Sequence, residues 1–228
     1  MYFGATLKGS KAQTHCVGTA LSSTITGPYT PSSQIFACPG SDGGAIDPDG
    51  FRDVDGSRYV TYKVDGNARG NGGICGNTNY PRHSTPLMLQ KVASDGITPI
   101  GGPIQLLDRD DNDGPLIEAP SLTRIGGKYY LFFSSNCYDS PQYDTSFAVS
   151  DSIAGPYTKR GPLFLSGRMG GLVAPGGADV SPDGRFLVFH AGDVNSRYMY
   201  TARLSFDGRE VQACASSGHC EHAYKHRR

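Results

Sequence analysis

Apolar and polar positions along the chain fall into a plan that recurs. Ile46-Asp47-Pro48 leads through Phe51 and the Asp55-Gly56 turn to Arg58-Tyr59-Val60-Thr61-Tyr62. Ile117-Glu118-Ala119-Pro120 leads through Gly126-Gly127 to Tyr129-Tyr130-Leu131-Phe132-Phe133. Pro175-Gly176-Gly177-Ala178-Asp179-Val180 leads through Asp183-Gly184 to Phe186-Leu187-Val188-Phe189-His190, while Met1-Tyr2-Phe3 matches only the second half of the plan. After each aromatic run and a gap comes a further run, at residues 15–20, 87–92, 146–150 and 198–202, and two of these continue into Gly27-Pro28-Tyr29 and Gly155-Pro156-Tyr157. The aromatic and β-branched runs and the glycine turns predict strands, with no convincing amphipathic helix. Strand, turn, strand, gap, strand, repeating about every 60 to 70 residues, is the layout of propeller blades. A β-sandwich built of the same strands is the alternative, and it leaves the repeat unexplained.

Composition narrows the function. The 228 residues suffice for one domain with a sizeable core or two small ones. The 31 glycines and 15 prolines suit short strands and turns. Lysine plus arginine and aspartate plus glutamate both number 21, so the net charge is zero and gives no nucleic-acid footprint. No apolar run approaches the roughly 18 residues that cross a membrane. A neutral, polar, tyrosine-rich surface fits a neutral polar ligand such as a carbohydrate.

Six cysteines in a turn-rich chain indicate an oxidising, secretory setting. Proximity in the repeat favours Cys16–Cys38, Cys75–Cys137 and Cys214–Cys220 among the possible pairings; free buried thiols are the alternative. The chain opens on an alternating strand pattern instead of a signal peptide, so it is expected to be a cut reading frame or a fragment of a longer precursor. The run Asp108-Arg109-Asp110-Asp111-Asn112-Asp113 misses the calcium-loop pattern and is expected to be a solvated loop. Gly170-Gly171 and Gly176-Gly177 lack the Lys-Ser/Thr of a phosphate loop. Cys214, His219, Cys220 and His222 fit no standard zinc spacing, and a small disulfide-closed tail with a disordered basic end at 222–228 is expected in its place.

At its blade-opening strands the chain resembles glycoside hydrolase family 43, a five-bladed propeller whose catalytic carboxylates project from the innermost strands into a central pocket. The matching residues are Ile46-Asp47-Pro48 with Phe51 and Asp53-Val54-Asp55-Gly56, Glu118-Ala119-Pro120 before Tyr129-Tyr130-Leu131, and the two Gly-Pro-Tyr turns. The resemblance implies an all-β fold, a five-bladed β-propeller type with the first blade and part of the second missing from this chain. Residues 1–212 are then an incomplete propeller catalytic domain and 213–228 a disulfide-closed or disordered tail.

The resemblance also implies roles. Glu118 is expected as the general acid and Asp47 as the carboxylate that orients it and modulates its pKa; Arg197, Phe51 and Asn136 are candidates for substrate binding. The implied reaction is inverting hydrolysis of plant-wall pentosides, arabinofuranosides or xylosides, by an acid and a water-activating base roughly 6.5–9.5 Å apart. The family's base aspartate and Trp-Ala-Pro element have no counterpart here, since tryptophan is absent and the first ten residues hold no acid. The family's Gly-x-Gly-His element reads Pro175-Gly176-Gly177-Ala178, without the histidine, so no metal and no cofactor are expected. The expected partner is a carbohydrate substrate, with neither nucleic acid nor membrane, and open sheet edges predict self-association. The parent protein is expected outside the cell. A catalytically impaired or repurposed propeller that binds carbohydrate is the alternative.

Overall fold

A computed structural model describes residues 1–10, 14–215, 218 and 220–222. The described strands form four antiparallel sheets, each with its strands in chain order. The first holds β1 (Tyr2–Thr6), β2 (His15–Leu21) and β3 (Thr30–Ala37). The second holds β4 (Ala45–Arg52), β5 (Arg58–Val64), β6 (Leu87–Val92) and β7 (Ile104–Leu107). The third holds β8 (Ile117–Ile125), β9 (Lys128–Ser135), β10 (Asp144–Ser150) and β11 (Thr158–Phe164). The fourth holds β12 (Gly176–Val180), β13 (Phe186–Gly192), β14 (Arg197–Asp207), β15 (Glu210–Ala215) and β16 (Cys220–His222).

Each sheet packs on the next, so the sheets are successive blades of a β-propeller and not two faces of a sandwich. The first and second sheets enclose Val17, Ala45, Tyr62 and Val64. The second and third enclose Leu87, Leu89, Ile117, Leu131 and Phe133. The third and fourth enclose Phe132, Phe147, Phe164, Leu187 and Phe189. Alternation explains the division: along β9, Leu131 and Phe133 face one neighbour while Tyr130 and Phe132 face the other.

The second and third sheets are also fastened by polar groups. Asp53, in the turn after β4, is nearly buried; its carboxylate accepts from Tyr129 Oη at 2.6 Å and pairs with Arg124 at 3.1 Å. Burial and that carboxylate together push the Tyr129 phenol up to about 12. Cys75–Cys137 joins the loop between β5 and β6 to the end of β9, and Cys16–Cys38 and Cys214–Cys220 are also closed, as the repeat favoured.

One expectation needs correction. The run 108–113 is not simply solvated: Asp110 caps a helical turn, and Asp113 is buried and paired with Lys159, which reaches over from β11. β15 runs across 212/213, and Ala213 is fully buried against the fourth-sheet core. As expected in place of a zinc site, Cys214 and Cys220 are closed in a disulfide; His219 and the basic end at 223–228 lie outside the described residues.

Candidate active site

The innermost strands β4, β8 and β12 share one irregularity. Ile46 pairs with Lys63 and Asp49 with Thr61, so three steps along β4 match two along β5. Glu118 pairs with Ser134 and Ser121 with Phe132; Gly176 pairs with His190 and Asp179 with Val188. Each inner strand therefore carries a one-residue bulge at the same place. The second bulge residue has positive φ in all three: Asp47 at 53°, Ala119 at 52° and Gly177 at 60°. Side chains rarely adopt this region, and residues held there cluster at functional sites. Bulging re-aims the strand.

Asp47 and Glu118 meet at these adjacent bulges and line one open pocket of about 460 Å³. The Ala119 N–H, just past Glu118, donates to Asp47 Oδ2 at 3.0 Å, so the backbone of one bulge holds the carboxylate of the other. Glu118 is held at both oxygens: Tyr143 Oη donates to Oε1 at 2.8 Å, and Lys63 Nζ lies 3.3 Å from Oε2. Lys63 is 1% exposed and also pairs with Asp65 at 3.2 Å.

Burial and the nearby Glu118 raise the Asp47 pKa, against the pull of Lys63 and the Ala119 N–H. Burial alone would lower the Lys63 pKa, but Glu118, Asp65 and Asp47 more than offset it and the net shift is upward. The Tyr143 phenol is pushed well up, first by burial and then by Glu118. Across the pocket, Ser121 Oγ donates to Asp179 at 2.8 Å. Asp49 is raised to about 7 by burial and then by Asp179, with Ser121 opposing.

Phe51, Asn136 and Arg197 are not on this pocket wall. Phe51 packs between Tyr59 and Tyr129, with ring centroids 6.5 and 6.3 Å away, as part of the core between the second and third sheets. Asn136 turns the chain after β9, its N–H bonded to Asp113 O at 2.8 Å and its amide to Ser135 Oγ at 3.3 Å. Arg197 stands behind the wall, donating to His190 Nδ1 at 2.6 Å and to the backbone carbonyls of Tyr138, Gly192 and Ala174.

Lys63, Tyr143 and His190, which do shape the site, had no role on sequence grounds. Lys63 carried a readable signal, a lone charge in the apolar run Tyr59-Val60-Thr61-Tyr62-Lys63-Val64. Tyr143 and His190 carried none, because their place depends on the bulge register. Among the described residues, one cluster brings three potential metal ligands together, Cys75, Cys137 and Asp139; its two sulfurs are already joined to each other.

The profile of "Glycosyl hydrolases family 43" matches residues 1–212. The chain is 30% identical over 210 residues to "Extracellular endo-alpha-(1->5)-L-arabinanase 1" of Bacillus subtilis (strain 168), an alignment covering 86% of this chain and 58% of that protein. The chain thus spans little more than half the length of this curated relative. Among solved structures it superposes on a thermostable family-43 glycoside hydrolase with a TM-score of 0.76 at 26% identity, covering 93% of this chain and 70% of the other. It also superposes on an endo-arabinase from Bacteroides thetaiotaomicron VPI-5482, with a TM-score of 0.71 at 18% identity, covering 91% of this chain and 71% of the other, a likeness of fold. The blade plan, the bulged inner strands and a profile match across almost the whole chain agree, and the chain belongs to glycosyl hydrolases family 43.

Proposed function

We propose that this protein is an inverting glycoside hydrolase that cleaves O-glycosidic bonds of plant-wall pentosides, arabinofuranosides or xylosides, outside the cell. The supporting observation is the pairing of Glu118 and Asp47 on neighbouring bulges of one pocket, with the Ala119 N–H between them. Glu118 gives a proton to the leaving glycosidic oxygen. The charge left on Glu118 is met by Lys63 Nζ at Oε2 and Tyr143 Oη at Oε1, groups already in position before the bond breaks. Asp47 orients this end of the site through Ala119, and burial beside Glu118 raises the pKa of Asp47 itself. Three disulfides and the name of the Bacillus arabinanase support an extracellular setting.

Inversion also needs a carboxylate that activates water. Among the described residues, the pocket's other acids have different engagements: Asp47 is tied to Ala119, and Asp49 and Asp179 share Ser121. That observation favours a second reading for these 228 residues, a propeller that binds sugar without turning it over.

Hydrolysis of nitrophenyl arabinofuranoside and xyloside separates the two. Glu118→Gln is expected to lower the rate by about 10²- to 10⁴-fold. Equal background rates in both proteins, with sugar binding retained in calorimetry, would establish the second reading.

A further inference from the structure

We infer that His190 binds the sugar in this pocket, donating a hydrogen bond from Nε2 to a hydroxyl oxygen of the pentose at Glu118, and that Arg197 is the positioning residue that fixes His190 in that form. The inference rests on the glycosidase reading and adds a binding group to it.

Hydrogen-bond logic sets the state of the ring. Arg197 Nε–H donates to His190 Nδ1 at 2.6 Å. A guanidinium has donors and no acceptor, so Nδ1 must offer a lone pair; the imidazole is neutral and its proton is on Nε2. Burial and Arg197 lower the His190 pKa, against Glu118, which agrees with a neutral ring. The groups that face it are Arg197 from β14, Tyr143 just before β10, and Glu118 from β8.

Position sets the direction of the donor. His190 lines the same pocket as Glu118 and stacks on Tyr143, with ring centroids 6.1 Å apart at 22°. Its Nε2 lies 2.3 Å from where a Cβ on Gly177 would stand. The bare glycine at 177 leaves room for the imidazole of the neighbouring strand.

Register gives an independent reason. The residues paired with the first bulge position are Lys63, Ser134 and His190 in successive sheets. Lys63 bonds Glu118 and Ser134 Oγ accepts the Gly177 N–H, so each serves the bulge of the following sheet. His190 holds the same place in the last sheet, and among the described residues Nε2 makes no hydrogen bond. A neutral N–H beside acids suits the weakly basic oxygen of a sugar hydroxyl, whereas a cation there would pair with Glu118.

Nitrogen-15 labelling of histidine in the 228-residue chain reads the tautomer directly through long-range proton–nitrogen correlations. His190 is expected to be neutral at neutral pH with its proton on Nε2, whereas in Arg197→Gln its pKa should rise and its proton should no longer be confined to Nε2. A wild-type imidazolium, or a proton on Nδ1, overturns the inference whatever the activity. Adding a linear arabino- or xylo-trisaccharide should move the Nε2 resonance. His190→Phe should weaken binding about 5- to 10-fold. His190→Gln, whose amide N–H can stand in for Nε2–H, should recover most of it. A sugar that shifts the Tyr143 ring signals and leaves Nε2 unmoved overturns the role of His190 while the glycosidase reading stands. A sugar that shifts neither removes both.

Discussion

β10 in the third sheet and β3 in the first have nearly the same length and opposite surroundings. All seven residues of β10 are buried, whereas none of the eight residues of β3 is. The third sheet has a neighbour on each face, and its β9 feeds two cores at once. The first sheet packs on the second through the small cluster around Val17 and Tyr62, with Tyr2 Oη donating to the Gly96 carbonyl. In a propeller, then, a blade's stability comes mainly from what lies on either side of it. Stability is concentrated in the third sheet, which also carries Glu118.

Core truncation gives the largest test of that contrast. Phe132→Ala, at a fully buried position, should cost about 3–5 kcal/mol, and Phe36→Ala, half-buried beside the first-sheet cluster, about 1–2 kcal/mol. Urea unfolding of both checks it, and equal losses would mean that the first sheet is as firmly supported as the third.

Buried carboxyls give a smaller effect. Asp144, at the start of β10, is raised to about 7 by burial, against hydrogen bonds from Ser135 and Ser146. Its folded pKa lies above the unfolded value of 3.8, so the native state holds the proton more tightly. Stability therefore falls as pH rises from about 4 to about 7 and levels off above, and Asp49 contributes with the same sign. Asp144→Asn should flatten part of this slope, with a gain on the order of 1–3 kcal/mol at neutral pH. Unfolding midpoints across that range would show it; a slope unchanged in Asp144→Asn would mean that the carboxyl is hydrated in the folded chain.

The smallest effect on stability belongs to the exposed strand. Ile35 on β3 is 53% exposed. Ile35→Lys should change stability by less than about 0.5 kcal/mol. It should nevertheless reduce any concentration-dependent association in sedimentation velocity, since a lysine on an edge strand discourages strand pairing. A wild-type chain that sediments as a strict monomer at all concentrations removes the basis for that expectation.

The same contrast decided what the sequence revealed. The buried strands β5, β9 and β13 announce themselves by aromatic and β-branched runs, and the Asp-Pro and Ala-Pro openings mark β4 and β8. The outer strands β3, β7 and β11 were not read: β3 and β7 are at least partly open to solvent at most positions, and β11 is buried only along 161–164. Asp47 and Glu118 were legible because they sit in short motifs. Tyr143 and His190 were not, since their approach to Glu118 follows from cross-strand register and from a missing Cβ at Gly177. The hydrogen bonds of Arg197 turn it toward His190 and the backbone, which no motif announces.

The repeated bulge has a consequence for how such a site can diversify. Each extra residue is accommodated between two properly paired stretches of strand, so the rest of the blade is insulated from what the bulge presents. Equivalent sockets hold Ile46, Glu118 and Gly176 in successive blades, and the next position holds Asp47, Ala119 and Gly177. A point substitution at one socket can therefore rewrite the chemistry at the axis while leaving the hydrophobic layers between blades unaltered.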